Sequence, residues 1–323
     1  MIGRRGKLLI LLYVVFLAVL FLMCSTDLII REPERDVYQI AVIIEDSRDD
    51  NYVNFRKGMD QAAMEFQADV HFITLYEKMD ADQQMELILR EQQDGADALI
   101  IVPADEDRVV SALAQGQVFV PAVLLGTGLS GQGVAGTIAP DYKEMGELLA
   151  QEIAAHEGRD CQVLIFEDPG KHSAMSRLFL EGAKDAFDSM GCRWKSVFFM
   201  ENGRGAEDMF QDLAGERRER TAILAQNPEI LTETAAILSE IPGFEGSLYG
   251  RGSTLGILNY LDRGRIGGIC VTDQFGAGYL SVETAVRALE EGGSQGREEL
   301  DVWYIDKEDL RRPEYEKLLY PVE

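Results

Sequence analysis

From residue 39 onward, short apolar runs rich in β-forming residues alternate with stretches of helical periodicity, and this alternation narrows the choice of fold more than any other property of the sequence. The first run is "QIAVIIE", residues 39–45, and Phe55, Met59 and Ala62 follow it at helical spacing. Strands that alternate with helices predict parallel sheets covered by helices on both faces.

The alternation of strands and helices occurs twice along the chain. In the first half it predicts strands at 39–45, 70–76, 96–103, 120–126 and 133–140. In the second half it predicts strands at 161–167, 195–200, 221–227, 246–252, 266–272 and 301–305, with helices at 141–156, 173–190, 205–214, 229–240, 253–262 and 275–291. We therefore predict an α/β protein with two doubly wound lobes. Ligands of such sheets bind beyond the carboxyl ends of the strands, which places one site in the cleft between the lobes.

The N-terminal segment differs from everything after it. Arg4, Arg5 and Lys7 precede a stretch from Leu8 to Thr26 that carries no charged residue. This length and polarity predict a single transmembrane helix within residues 1–30, with the main domain outside the cell membrane. Cys24 in "LFLMC" offers an alternative, cleavage and lipidation at that cysteine, and a secretory cleavage site is a further one. A transmembrane helix and a lipid on Cys24 would both attach the protein to the membrane.

Charge and cysteine content exclude some classes of protein. The net charge of −25 argues against a nucleic-acid partner, which requires a basic face. Cys161 and Cys192 each precede a strand, and those strands are expected to be neighbours. A disulfide between them and a pair of buried thiols remain alternatives.

Three motifs that carry chemistry in other proteins fail here. "GTGLSG" at 126–131 is a G-x-G-x-x-G after a strand, but a glycine-rich, β-like segment follows it where a dinucleotide site needs a helix, so we predict a loop. Asp46 and Asp50 have calcium-loop spacing, but Arg48 and Lys57 occupy positions that need oxygen ligands. No nucleophile elbow, zinc motif or Cys/His pairing is present. We expect no enzymatic activity, no cofactor and no metal.

The loop after the first strand remains as a candidate site by its position. Ser47 to Tyr52 lies between the carboxyl end of that strand and the first helix of the lobe, where a doubly wound sheet presents its ligand contacts. Tyr52 offers a flat face for stacking, and Asn51 can form hydrogen bonds with hydroxyl groups.

Several motifs together resemble the type I periplasmic sugar-binding proteins, the ribose-binding-like solute receptors of ABC transporters. The similar segments are "KGMDQAA", "GADALIIVPAD", "VPAVLLG", "GTIAPDYKEMGELLAQEI", "AILAQNPE" and "YLDRGRIGGICVTDQFGAGYLSVETAV". The resemblance covers residues 39–306. It implies two lobes joined by three crossings, with residues 37–138 plus 273–299 in one lobe and 139–272 plus 300–323 in the other. Such lobes bind a ligand by hinge closure.

The resemblance also implies where the ligand is bound. Tyr52 matches a ring-stacking aromatic, Asp141 an acid at the first crossing, and Asn227 an amide that contacts sugar hydroxyls. Asp141 and Asn227 are equally plausible helix N-caps. The full set of expected ligand-binding residues is Ser47, Asn51, Tyr52, Asp141, Arg177, Asn227, Arg251, Thr272 and Asp273.

Two departures from the family pattern bear on the ligand. Gly126 and Gly252 stand where the family has acidic residues, so we expect that ribose is not bound in the usual manner. Arg251, together with Arg177, suits an acidic or phosphorylated sugar.

The function expected from the sequence is that of a membrane-attached, extracytoplasmic solute-binding protein for a sugar or a related polar small molecule, with the permease of an ABC transporter as partner. The alternative is a ligand-sensing accessory protein for a membrane histidine kinase. A domain that contacts only protein remains a further possibility.

Overall fold

The computed structural model describes residues 4–25, 37–168, 173–199, 221–240 and 247–321. The chain divides into two units, Met1–Val37 and Tyr38–Glu323. Helix α1, Arg4–Ser25, belongs to the first unit. Among the residues described, no helix combines the length and the apolar character that crossing a bilayer requires, so the prediction of a transmembrane helix is not supported. The helix predicted at 205–214 lies outside the described residues.

The described residues of the second unit form two predominantly parallel sheets of six strands each. The first sheet consists of β1 (Tyr38–Ile43), β2 (Ala68–Ile73), β3 (Ala98–Ile101), β4 (Ala122–Leu125), β5 (Val134–Pro140) and β11 (Arg297–Leu300). The second sheet consists of β6 (Gln162–Glu167), β7 (Arg193–Phe198), β8 (Thr221–Ala225), β9 (Ser247–Arg251), β10 (Gly268–Thr272) and β12 (Val302–Ile305). The predicted fold of two parallel-sheet lobes is confirmed.

Helices connect these strands. They are α2 (Val53–Phe66), α3 (Ala81–Asp94), α4 (Glu106–Ala114), α5 (Tyr142–Glu157), α6 (Ala174–Met190), α7 (Pro228–Glu240), α8 (Leu255–Asp262), α9 (Gln274–Glu291) and α10 (Pro313–Leu319). Side-chain caps fix where several of them begin. Asp80, for example, accepts hydrogen bonds from the backbone N–H groups of Asp82 and Gln83 and so satisfies two of the free donors of α3.

The two sheets have the same strand order. The first reads β11-β5-β4-β3-β1-β2 and the second β12-β10-β9-β8-β6-β7. The outermost strands differ, because β11 runs parallel to β5 whereas β12 runs antiparallel to β10. In such an order the crevice for a ligand lies where the chain turns from one side of the first strand to the other, beside β1 and β3 or β6 and β8.

The chain passes from one sheet to the other three times. It does so between β5 and α5, between β10 and α9, and between β11 and β12. The short strand β11 was not predicted, because "REEL" is largely exposed and carries three charges. Its pairing with β5 returns the chain to the first lobe before β12 joins the second.

In each lobe one pair of helices packs closely through two glycines. In the first lobe a Cβ on Gly58 would stand 1.9 Å from the carbonyl oxygen of Phe275, and one on Gly278 would stand 2.0 Å from that of Phe55. In the second lobe Gly146 and Gly182 have the same relationship to the opposing backbone, each at 2.0 Å. Both pairs of helices, α2 with α9 and α5 with α6, therefore require glycine at these four positions.

Candidate functional site

A cavity of about 170 Å³ lies between the lobes and is lined by residues of both. The lining comes mainly from loops at the carboxyl ends of the strands, including Glu45 and Asp46 after β1, Gly126 after β4, Gln226 after β8 and Thr272 at the end of β10. The volume is below the roughly 300–1,000 Å³ that is typical of pockets for drug-sized ligands. The cavity therefore suits a ligand of about one small ring.

Glu45 and Tyr52 form a buried hydrogen-bonded pair in the wall from the first lobe. The Tyr52 hydroxyl donates to Glu45 Oε2 at 2.7 Å, and Glu45 is only 8 % exposed. Burial raises the pKa of Glu45 from 4.5 to about 7, although the hydrogen bond from Tyr52 acts in the opposite direction. Burial also raises the pKa of Tyr52 well above 10, so the hydroxyl remains a donor.

The Tyr52 ring is fixed by aromatic neighbours. It meets Phe55 edge-on, with centroids 5.9 Å apart and an interplanar angle of 88°, and lies 5.9 Å from Phe72. These contacts hold the ring in one orientation while its hydroxyl is engaged by Glu45.

A polar network joins the lobes at one rim of the cavity. Glu229, in the first turn of α7, accepts a hydrogen bond from Asn51 Nδ2 at 2.6 Å and lies 3.3 Å from Lys78 Nζ. Lys78 also lies 3.4 Å from Asp46. Burial opposes ionisation of Glu229, but the Lys78 charge and the bond from Asn51 outweigh it, and the pKa of Glu229 is lowered. Glu229 is therefore charged at neutral pH.

Arg251 is held in place by groups of its own lobe. Its Nε donates to the Gln226 carbonyl oxygen at 3.1 Å and a terminal nitrogen donates to Ser176 Oγ at 3.2 Å. The guanidinium carbon is 5.7 Å from the ring centroids of both Tyr142 and Phe179, within the range of cation–π attraction. Two aromatic rings and two hydrogen-bond acceptors thus surround much of the Arg251 guanidinium.

Met175, from the second lobe, fills the space next to Gly126. A Cβ on Gly126 would stand 2.6 Å from Met175 Sδ, and the φ of Gly126 is +70°. The Tyr142 hydroxyl lies 3.1 Å from the same sulfur. Where an acidic side chain was expected from the resemblance, the cavity therefore has an apolar thioether from the opposite lobe.

The structure brings five of the nine predicted ligand-binding residues to the cavity wall. These five are Asn51, Tyr52, Asn227, Arg251 and Thr272. Asn227 also caps α7, because its Oδ1 accepts from the Ile230 N–H at 2.8 Å. Thr272 Oγ1 accepts from Gln274 Nε2 at 2.8 Å. Their roles in binding a ligand remain predictions.

The other four predicted residues do not line the cavity. Asp141 and Asp273 cap α5 and α9, respectively, with hydrogen bonds from backbone N–H groups. Ser47 is exposed, and its N–H donates to Asp46 at 2.7 Å. Arg177 contributes positive charge near Glu106 of the first lobe, although burial raises the pKa of Glu106 overall. Arg177 and Arg251 thus do not line the cavity together.

Sequence reasoning missed several residues of the wall. Glu45 and Asp46 directly follow β1, so their position in the sequence gave a usable signal. Glu229 follows Asn227 by two positions at a helix start, which is a weaker one. Lys78 and Met175 gave the weakest signal, because each lies several positions beyond the carboxyl end of the preceding strand, β2 or β6.

The structure also describes the cysteines of the second unit and the side chains that could bind a metal. Cys161, Cys192 and Cys270 are free and buried, which agrees with the alternative of buried thiols. Burial raises the pKa of Cys161 to about 11. Within the described ranges, no group of three or more His, Cys, Asp or Glu side chains could hold a metal ion.

Two doubly wound lobes with a cavity across the cleft define the class of ligand-binding proteins that close around a small molecule. The chain belongs to the periplasmic binding protein domain family, whose model matches residues 40–294. This family is extracytoplasmic and consists of binding proteins, in agreement with the expected absence of enzymatic activity. No curated protein matches the chain by sequence.

Solved structures share the fold at low sequence identity. One is an ABC transporter solute-binding protein from Agrobacterium vitis with bound α-D-tagatopyranose, at 18% identity and a TM-score of 0.74, covering 88% of this chain and 100% of that one. A glucose-galactose binding protein from Geobacillus stearothermophilus has 17% identity and a TM-score of 0.75, with 86% and 100% covered. A solute-binding protein from Bacillus halodurans with bound myo-inositol has 19% identity and a TM-score of 0.72, with 86% and 97% covered.

Proposed function

We propose that this protein binds a neutral sugar, or a similar polyhydroxylated ring, in the cavity between its lobes and delivers it to an ABC transporter. The observation that carries the proposal is the cavity itself, which is of single-ring size and takes its walls from both lobes. Structural neighbours crystallised with tagatose and myo-inositol support this ligand class.

The charges around the cavity favour a neutral ligand over an acidic one. Among the described residues, four carboxylates line it, from Glu45, Asp46, Asp168 and Glu229, against the two cations of Lys78 and Arg251. Lys78 pairs with Asp46 and Glu229, and Arg251 stacks on aromatic rings. An anionic sugar would meet more negative than positive charge, so the cavity favours a neutral ligand over an acidic or phosphorylated sugar.

Hydroxyl groups suit the remaining polar atoms. Glu45 carries a carboxyl whose pKa is about 7, so it can both donate and accept a hydrogen bond near neutral pH. Asn227 adds an amide to the lining, and Tyr142 adds a ring. A sugar presents hydroxyl groups of both hydrogen-bonding kinds and an apolar C–H face for an aromatic ring.

The test is thermal unfolding of the protein with D-galactose, D-ribose, D-arabinose and myo-inositol, compared with D-glucuronate and D-glucose 6-phosphate. A ligand at a hundred times its Kd stabilises by about 2.7 kcal/mol, which is several degrees in Tm. We expect such a shift with a neutral compound, and its loss in Tyr52→Ala. Tyr76→Ala is the matched control, because Tyr76 is 92% exposed in the same lobe. A shift only with the charged sugars, or one that Tyr52→Ala leaves intact, would refute the proposal.

A further inference from the structure

A second, larger groove adjoins the cavity, and a single ring bound in the cavity does not occupy it. This outer groove has a volume of about 780 Å³. It lies between the start of α2 in the first lobe and helices α7 and α8 in the second, with the C-terminal Leu319–Pro321 segment at one side. Its volume falls within the range of roughly 300–1,000 Å³ that is typical of ligand pockets.

The cavity and the outer groove share one wall. Six residues line both spaces, and they are Asn51, Pro228, Glu229, Ser253, Thr254 and Gln274. A ligand atom that passes this wall therefore leaves the cavity directly into the outer groove rather than into open solvent.

The shared wall consists in part of side chains that can move aside. Asn51 and Glu229 meet across it through a single hydrogen bond of 2.6 Å. The Glu229 side chain retains 23% exposure. Separation of Asn51 from Glu229 removes this part of the wall between the two spaces.

The outer groove has the mixed chemistry of a sugar site. Val53 from the first lobe is 50% exposed and Leu255 from the second is 74% exposed, so each lobe contributes an apolar surface. Asn54 and Thr232 add an amide and a hydroxyl to the lining. Among the described residues, five charged ones also line the groove, namely Arg48, Asp50, Lys57, Glu229 and Glu233. Apolar surface bordered by such hydrogen-bonding groups suits a ring that has hydroxyls at its edge and C–H groups on its faces.

From these relationships we infer that the ligand is a disaccharide or a glycoside, with one ring in the cavity and its substituent in the outer groove. The inference rests on the proposed function and specifies its ligand class. The cavity alone, at about 170 Å³, accommodates only one of the two units, and the outer groove takes the other.

The experiment is isothermal titration of the full-length protein with D-galactose, D-glucose, D-xylose and L-arabinose, and with disaccharides and 4-nitrophenyl glycosides of each in both anomeric forms. We expect one of the two-unit compounds to bind at least tenfold more tightly than its parent monosaccharide. Ala236→Trp places a large side chain in the groove from an exposed position on α7, and we expect it to remove that advantage while the affinity for the monosaccharide is retained.

Ala114→Trp is the matched control, because Ala114 is an exposed alanine of α4 that lines neither space. Monosaccharide binding without any tighter two-unit compound overturns this inference and leaves the proposed function standing. The inference also fails if Ala236→Trp and Ala114→Trp bind the two-unit compound equally well. Binding of no sugar in either form overturns the proposed function, and this inference with it.

Discussion

Asn51 of the first lobe donates a hydrogen bond of 2.6 Å to Glu229 of the second, across a separation of 178 positions in the sequence. Glu229 also faces Lys78 of the first lobe at 3.3 Å. Both contacts span the cleft, so they favour the arrangement in which the lobes are together. The lobes of such a protein move as bodies about the crossings, and contacts of this kind determine how far the equilibrium lies toward closure.

Glu229→Gln should shift this equilibrium toward the open form. The amide can still accept from Asn51 but loses the ion pair with Lys78, which is worth about 0.2–1 kcal/mol for a pair of this exposure. We expect a larger radius of gyration in small-angle scattering at low salt, and a similar change in the unaltered protein at high salt. The pKa of Glu229 is lowered, so its contribution is present at neutral pH and is lost as the pH falls through that pKa.

The control for this prediction is Glu283→Gln. Glu283 pairs with Arg287 at 2.7 Å within α9, so the loss of that pair does not affect contacts between the lobes. If the two variants have the same radius of gyration at low salt, the Glu229 contacts do not govern closure.

Glu45 should make the free energy of unfolding fall as the pH rises, which is the opposite of the usual effect of a carboxylate in a folded protein. Burial raises its pKa from 4.5 to about 7, so the folded state binds a proton more tightly than the unfolded state. Its contribution is present in full below pH 4.5 and is lost as the pH rises to about 7. Glu45→Gln removes this dependence and should raise the free energy of unfolding at pH 8, by at most about 3 kcal/mol.

Urea unfolding of both proteins at pH 4.5 and pH 8 measures this effect. We expect the variant to be the more stable protein at pH 8, with a smaller difference at pH 4.5. Glu290→Gln, at an exposed position of α9, is the control and should change neither value. A difference between Glu45→Gln and the unaltered protein that is the same at both pH values contradicts the assigned pKa.

The close contact between α5 and α6 in the second lobe should make the free energy of unfolding sensitive to a single methyl group. A methyl group on Gly146 would stand 2.0 Å from the Phe179 carbonyl oxygen, so Gly146→Ala forces α5 and α6 apart. We expect a loss of about 3 kcal/mol in the free energy of unfolding, at the upper end of overpacking effects. Gly256→Ala in α8 is the matched control. Its nearest heavy atoms are 3.9 and 4.0 Å away, so it should be neutral or stabilising by up to about 1 kcal/mol. Equal effects of the two substitutions on urea unfolding would show that the helices are not in this contact.

In a Cys24→Ser protein, the three remaining thiols, Cys161, Cys192 and Cys270, should be almost unreactive while the protein is folded. Burial raises the pKa of Cys161 to about 11 and also raises that of Cys192, so the reactive thiolate is scarce at pH 8. We expect slow reaction with 5,5′-dithiobis(2-nitrobenzoic acid) in buffer and rapid reaction in guanidinium chloride. Cys161→Ser should lower the number of thiols titrated in denaturant by one. A missing pair of thiols in denaturant, restored by a reductant, would instead reveal a disulfide between Cys161 and Cys192.

The sequence by itself determined the class of fold, because that information is local. Runs such as 39–45 and 161–167 are apolar except at or next to their ends and are too short for helices, a pattern typical of buried parallel strands. Asp141 and Asn227 were recognisable as helix caps from the residues that follow them. The alternation of strands and helices located the cleft, the family resemblance indicated residues in it, and the structure then placed Tyr52, Asn227 and Arg251 in its wall.

Only the tertiary structure decided which polar groups meet in that cleft. Lys78 lies in a turn with no motif, and Met175 reads in the sequence as an ordinary helical residue, yet both reach the cavity from opposite lobes. The strand β11 was missed because its residues are exposed and charged, and its place depends on pairing with β5 rather than on its own propensity. The pKa of Glu45 likewise follows from burial by residues distant in the chain. Local periodicity cannot encode such long-range contacts, because they form only when segments distant in the sequence fold against one another.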